Sequence, residues 1–356
     1  MTTTPEPDQA SPSDAEPVLQ THGLSKHFKV GGNLSRKTLH AVDDVDLVIN
    51  KREIVALVGE SGSGKSTIAR LLARVYEPTT GEIIYRGRPL SALRGRRQNL
   101  AYRSDVPMVF QDPFSSLNPA YRVSHGILRG LKLHRPDIAK AQRRAEAIKV
   151  VKSVGLTPAM DILDRFPYEL SGGQRQRIGF AQALAYRPTL IIADEPVSML
   201  DVSIRIGLLN LMAQLRKDAG VSFLYITHDI ASARYVSDRL LVMYAGHVVE
   251  SGPTESVLAD PQHPYTRLLL SAVPDPRAPL EVDAAAARGE PPRVIDPVPG
   301  CRFRWRCPLA IDICSTVTPL PELLAPEHRV ACHVAVANAA AAATPAGSAE
   351  DPDSSS

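Results

Sequence analysis

Three short stretches of this chain combine residue types suited to handling phosphate. Residues 59–67 read GESGSGKST and fit G-x-x-x-x-G-K-[ST] with Gly59, Gly64, Lys65 and Ser66. Glycines such as these, with Gly62 between them, let a backbone fold tightly enough for successive N–H groups to cradle phosphate oxygens. Lys65 would reach the β- and γ-phosphates and Ser66 would ligate Mg²⁺. In LIIADEP an apolar run ends in Asp194 and Glu195. The aspartate suits Mg²⁺, directly or through water. The glutamate is placed to polarise an attacking water as general base. The third stretch, LSGGQRQR at 170–177, offers a second anion-binding helix start. One nucleotide needs one such loop, so a second suggests contact with a nucleotide held by another subunit.

Taken singly, each stretch has a plainer reading as a glycine-rich turn or a strand ending in solvated acids. The surrounding elements decide. REIVALVG is a short apolar strand running into the glycine loop, and KSTIARLLARVY has helical spacing. Strand, loop and helix in that order make the phosphate reading credible. LQTHGLSKHF and LHAVDDVDLVIN read as strands, as do TLIIADEP and SFLYITHD. RLLVMYAGHVVESG reads as a hairpin turning at Ala245-Gly246. The block from Pro113 to Leu170 reads as mostly helical, with an amphipathic helix over 137–155.

At 356 residues the chain can bury a full core and carry a second small module. A net charge of +3 is too small to argue for nucleic acid, and the basic run at 85–103 reads as a solvated face. The first 16 residues are acidic and proline-rich, lack the basic and apolar regions of a signal peptide, and read as a disordered tail. No apolar run approaches the roughly 18–20 residues needed to span a bilayer. A cytosolic protein that meets membranes through a partner is the expectation. There is no internal repeat, hence one nucleotide-binding unit.

These motifs together resemble the ATP-binding subunit of an ABC transporter, whose signature is LSGGQ. Further landmarks follow in order: Gln111 in VFQDP matches the Q-loop, Ser198 to Asp201 the D-loop (with Met199 where alanine is usual), and His228 in LYITHD the switch histidine. Phe28 stands where an aromatic residue stacks on adenine. VFQDPFSSLNP, EPVSMLDVSI and HPYTRLLLSAVP narrow the resemblance to the oligopeptide/dipeptide importer branch, with Gln182 where that branch often has arginine.

The resemblance implies an α/β fold: a P-loop NTPase (RecA-like) core with an antiparallel β subdomain and a helical signature subdomain, plus a small C-terminal Cys-rich domain. The expected division is a tail at 1–16, a nucleotide-binding domain at 17–255 with its helical part at about 112–170, a C-terminal domain at 256–334 and a disordered tail at 335–356. ATP and Mg²⁺ would lie among Gly59, Ser61, Gly62, Gly64, Lys65, Ser66, Thr67, Gln111 and Asp194. Glu195 and His228 would be catalytic. Ser171, Gly172, Gly173, Gln174 and Asp201 would act across a head-to-tail dimer. Implied partners are two permease subunits, a second cassette (a paralogue) and an extracellular substrate-binding protein, with the chain at the cytoplasmic face of the membrane. The cargo is peptide, or an oligosaccharide or nickel in related importers. A soluble ABC ATPase is the other class, but it would carry two cassettes or a coiled-coil insertion.

All four cysteines fall in one late segment: Cys301, Cys307, Cys314 and Cys332. Disulfides do not suit a cytosolic ATPase, and four unrelated core thiols are the plain alternative. Zinc sites show a close C-x₂₋₄-C pair, absent here. Some members of the resembled branch carry a 4Fe-4S cluster in this region, so a cluster or zinc is expected. Arg302, Arg304 and Arg306 would offset its charge or be solvated.

Overall fold

Apolar patterning separates two kinds of strand in the computed structural model, which describes residues 17–31, 37–112, 117–272 and 292–343. β1 (Pro17–Lys29) and β2 (Thr38–Asn50) mix buried apolar with outward polar residues, as a sheet wet on one face does. β3 (Ile54–Val58) is buried at every position, as a strand covered on both faces must be. β1 and β2 join β4 (Thr80–Tyr85) and β5 (Arg88–Pro89) in an antiparallel sheet of order β2-β1-β4-β5.

β3 belongs to a larger sheet. Its companions are β6 (Met108–Val109), β7 (Leu190–Asp194), β8 (Ser222–Thr227), β9 (Arg239–Tyr244), β10 (His247–Pro253), β11 (Glu322–Ala325) and β12 (His328–Val330), in the order β11-β12-β10-β9-β3-β8-β7-β6. The run from β9 to β6 is parallel, and β10, β12 and β11 extend it antiparallel.

Helices cover both faces. α1 (Lys65–Leu72) sends Ile68, Ala69, Leu71 and Leu72 into a core shared by the two sheets. α2 (Gly95–Asp105) buries Tyr102, whose hydroxyl donates to the Leu72 carbonyl, and leaves Arg96 and Arg97 in solvent. α3 (Val123–His134), α4 (Arg143–Ser153) and α5 (Ala159–Asp164) form the helical block. With α6 (Gly172–Leu184) they close around Ile127, Leu131, Val151, Leu163 and Ile178. α7 (Val202–Ala219), α8 (Ile230–Val236), α9 (Thr254–Ala259), α10 (Pro264–Ser271) and α11 (His333–Ala343) complete the described helices.

Three expectations need correction. The helix expected over 137–155 begins at Arg143. Ahead of it the Arg135 guanidinium grips the Asp137 carboxylate at 2.6 Å, and Lys140–Gln142 form a separate 3₁₀ turn. The tail expected to be disordered from residue 335 is helical to Ala343, because alanine is the best helix former even where a sequence looks low in complexity. Residues 344–356 and 1–16 lie outside the described residues.

The third concerns the cysteine segment, which does not stand apart. β12 pairs with β10 through Glu250 and Ser251, and a cut at 255/256 would divide α9. Phe303, 2% exposed, packs edge-to-face on Tyr244 at 5.1 Å and against Tyr265 at 5.5 Å in the main core. Phe303→Ala is therefore expected to destabilise the whole chain by ~3–5 kcal/mol, as truncation of a buried phenylalanine does. Circular dichroism melts should show one transition moved down; an unchanged melt would mean the segment is not integral to the core.

Candidate nucleotide-binding site

Three parallel strands deliver the chemistry to one edge. β3 and β8 pair to Val58 opposite Thr227, and β7 and β8 to Asp194 opposite Ile226. The chain leaving each strand therefore emerges together with the others, at the carboxyl ends where open α/β sheets bind ligands. Residues 59–67 follow β3, Glu195 follows β7 and His228 follows β8.

The loop at 59–67 closes tightly over β2 and β9. Gly59 (φ +153°) and Gly64 (φ +109°) approach neighbouring backbone so closely that a Cβ would lie 2.1 Å from the Met243 carbonyl oxygen or 2.3 Å from that of Ala41. Ser61 and Gly62 are exposed. Thr67 donates its N–H to the Gly64 carbonyl at 3.0 Å as α1 begins. The buried Lys65 turns its ammonium back to the carbonyls of Gly59 (2.7 Å) and Glu60 (2.9 Å). Burial pulls its pKa down, while Glu195, Asp194 and Glu60 pull it up. Ser63 Oγ is buried with no partner. A loop of carbonyl-bound lysine and unpartnered hydroxyl fits an anion that would take over those donors.

Beside it, Ser66 Oγ donates to the Asp194 carboxylate at 3.1 Å. Burial holds the Asp194 carboxyl above its ordinary range, and the Ser66 bond only partly offsets this. A buried carboxylate next to a hydroxyl is a donor set for a hard dication. Glu195 Oε2 accepts from Gln111 Nε2 at 3.3 Å and lies 3.2 Å from His228 Nδ1. Glu195 itself sits at φ +47°, a left-handed backbone that costs a non-glycine residue on the order of 1–3 kcal/mol. Its N–H donates to Ile226 at 2.9 Å, and its carbonyl accepts from Ser198 Oγ at 3.0 Å, so β8 and the turn at 198–201 hold it there.

Ser171 to Gln174 lie on a different element. Ser171 caps α6 and exchanges hydrogen bonds with Gln174, closing the helix's own first turn. A Cβ on Gly173 would strike Ile204 of α7 at 2.5 Å, so this turn is pressed against the helix that Asp201 starts. Met199, Val202 and Ile206 are exposed on that side. Phe28, near the end of β1, stacks edge-to-face on Tyr76 at 5.4 Å with the Lys26 ammonium 5.3 Å from its ring centre.

Sequence reasoning missed Glu60, Tyr265 and Arg306. Tyr265 lies in the HPYT run: His263 caps α10 by accepting the Tyr265 N–H at 3.0 Å, Pro264 opens the helix, and the Tyr265 hydroxyl accepts the Glu60 N–H at 2.8 Å. His263 is fully buried, which drives its pKa down to about 4, so it caps as neutral imidazole. Arg306 pairs with the Glu60 carboxylate at 3.0 Å. Arg302 pairs with Asp43 and donates to the Ala245 carbonyl. Neither arginine is solvated, while Arg304 lies over Trp305 at 4.7 Å. His27, His40 and Asp43 are, among the described residues, the trio of metal-ligand type within 4.8 Å. Arg302 already occupies that carboxylate and His247 lies 4.0 Å from it, which makes the group an ion-pair hub.

The four thiols are free. Burial pushes the Cys301 thiol up to about 11, with Cys314, Cys307 and Cys332 adding to the rise, so all four share one neighbourhood. No three of their sulfurs lie within 4.8 Å of one another.

Residues 42–198 match the family model described as ABC transporter, and residues 249–314 that of the oligopeptide/dipeptide transporter C-terminal region. A putative peptide import ATP-binding protein of Brucella ovis is 42% identical over 89% of this chain and 97% of its own length. A putative oligopeptide transport ATP-binding protein of Bacillus subtilis is also 42% identical, over 89% and 95%. The fold is similar to a solved dimeric ATP-binding cassette in a post-hydrolysis state with ADP and phosphate. That match has a TM-score of 0.59 and 28% identity, and covers 66% of this chain and 98% of that one.

The raised Asp194 carboxyl yields a stability prediction. A group with a raised folded pKa loses stability as pH climbs through that value, because the folded state must then hold the charge. Asp194→Asn should therefore raise the melting temperature of the nucleotide-free protein at neutral pH, and the gain should shrink as the buffer is acidified. Equal melts at neutral pH would show that burial of this charge costs nothing.

Proposed function

The chain belongs to the ATP-binding subunits of ABC transporters, and from that membership we propose that it hydrolyses ATP to drive a peptide importer. The observation that carries this reading is the meeting of the Ser66–Asp194 pair with the Gln111–Glu195–His228 group at the ends of β3, β7 and β8. Lys65 would exchange its carbonyl partners for the β- and γ-phosphates, gaining a counter-charge for a buried ammonium. Ser66, Asp194 and Gln111 would hold Mg²⁺, which when bound neutralises charge on the phosphate oxygens.

Glu195 is the general base: released from Gln111 and His228, its carboxylate would accept the proton of the attacking water. His228, exposed beside it, would then meet the γ-phosphate. Ser171, Gly172, Gly173 and Gln174 would complete the site of a second cassette, so hydrolysis would await closure of the pair. Asp201 would lie at that interface. Phe28 would stack on adenine.

Peptide cargo is supported by the C-terminal match and by the names of the relatives. The proposed assembly is two permeases, a paralogous cassette and an extracellular binding protein, with this chain peripheral at the cytoplasmic face. No helix among the described residues is long and apolar enough to cross a membrane. Importers of oligosaccharides or nickel of the same branch would share the ATP site. Uptake of labelled di- and oligopeptides by cells lacking this chain separates them: loss of peptide uptake alone supports the reading, and loss of nickel or sugar uptake alone overturns it.

Cys301, Cys307, Cys314 and Cys332 are proposed to hold a 4Fe-4S cluster, which would supply a structural tie and a one-electron centre. Their shared neighbourhood supports it. A single zinc would need the sulfurs drawn closer, given Zn–S bonds of about 2.3 Å. Anaerobic purification should give absorbance near ~400 nm with stoichiometric iron; a colourless, zinc-loaded protein overturns the cluster.

Glu195→Gln should keep ATP binding and lower steady-state phosphate release by roughly 10²–10⁴-fold, the usual worth of a general base. Near-normal release would remove Glu195 from that role.

A further inference from the structure

Three groups from the C-terminal region converge on one residue of the phosphate loop. Glu60 gives its N–H to the Tyr265 hydroxyl (2.8 Å), its carboxylate to Arg306 (3.0 Å) and its carbonyl to Lys65 (2.9 Å). Tyr265 is fully buried and Arg306 is 7% exposed, its guanidinium 5.8 Å from the Tyr244 ring centre. A second brace lies alongside. Arg302 donates to the Ala245 carbonyl, and the next residue, Gly246, donates its N–H to the Ser63 carbonyl at 2.8 Å.

We infer that Arg306 and Tyr265 are positioning residues of the ATP site, holding the phosphate loop open to nucleotide and cancelling the Glu60 charge beside it. This rests on residues 59–67 binding ATP phosphates. The chemistry follows from the geometry. Without Arg306, a carboxylate one residue into the loop is left unpaired near an incoming polyanion, whose binding it opposes. Without the Tyr265 hydroxyl, the Glu60 N–H loses its acceptor and the first peptide of the loop is free to turn away. Arg306 immediately precedes Cys307, so the loop is braced by the same segment that carries the thiols.

The test uses the full-length chain, with MgATP affinity measured by calorimetry and kcat and KM by phosphate release. Arg306→Gln and Tyr265→Phe should each weaken ATP binding about fivefold, the worth of one hydrogen bond. KM should rise in step and kcat change less than twofold. Arg306→Lys, which keeps the charge, should recover most of the loss. Glu60→Gln added to Arg306→Gln should restore most of the lost affinity, because the charge needing cancellation is gone.

Wild-type affinity in both Arg306→Gln and Tyr265→Phe overturns the inference. So does a double variant that binds ATP no better than Arg306→Gln alone. Should Arg306→Gln melt early, Tyr265→Phe decides, since it removes one oxygen and no packing. A wild-type chain that fails to bind ATP would instead sink the underlying reading of the loop.

Discussion

The shared register of β7, β8 and β3 is the constraint on which the site depends. Each strand is buried on both faces, so its apolar run must end where burial ends. Pairing Val58 with Thr227 and Asp194 with Ile226 makes the three runs end together. Polar residues just beyond them, Gly59 to Lys65, Glu195 and His228, are thereby gathered without any long-range polar attraction. A slip of one residue in β7 would turn its side chains to the opposite faces and take Asp194 away from Ser66.

The site so assembled holds charge under strain. Lys65 and Asp194 are both buried, and burial disfavours the charged form of each. Glu195 occupies a left-handed backbone secured by Ile226 and Ser198. Lys65 has turned inward to loop carbonyls, and Gln111 and His228 rest on the Glu195 carboxylate. These are the contacts a phosphate, a dication and a water would displace. Each of these polar groups leans on a neighbour, which fixes its position at the ends of the strands.

The C-terminal region serves this site from behind. Glu250, 1% exposed, accepts from the backbone of Gln262 and His263 and meets His328 at 2.8 Å, binding β10, α10 and β12 into one unit. From that unit Tyr265 and Arg306 reach the phosphate loop, and Arg302 reaches Asp43 and the turn at Ala245. Burial raises Asp43, yet the Arg302 bond with those of His27 and His40 outweighs it, so the hub keeps its carboxylate charged. The cysteine segment is thus packed into the cassette through a phenylalanine and two arginines.

Local chemistry was legible in the residues alone. GESGSGKST, the Asp194–Glu195 pair and LSGGQ follow from short-range rules: which residues turn tightly, which cap a helix and which bind phosphate. β1, β2, β3, β7, β8 and the hairpin at Ala245-Gly246 follow from periodicity and turn chemistry, whereas the short β4, β5, β6, β11 and β12 carry no such pattern. Distant partnerships were not legible. Arg306 and Glu60 are 246 residues apart, and Tyr265 and Glu60 205 apart. HPYT could be read as a marker but not as a hydroxyl on the phosphate loop. From the sequence, three arginines near cysteines fit either charge for a metal centre or a solvated face, whereas two of them meet carboxylates on other elements. An ion pair leaves no periodic trace along the chain, because its partner is chosen by sheet order and packing. Composition determined which groups could do the chemistry; tertiary structure decided which groups hold them in place.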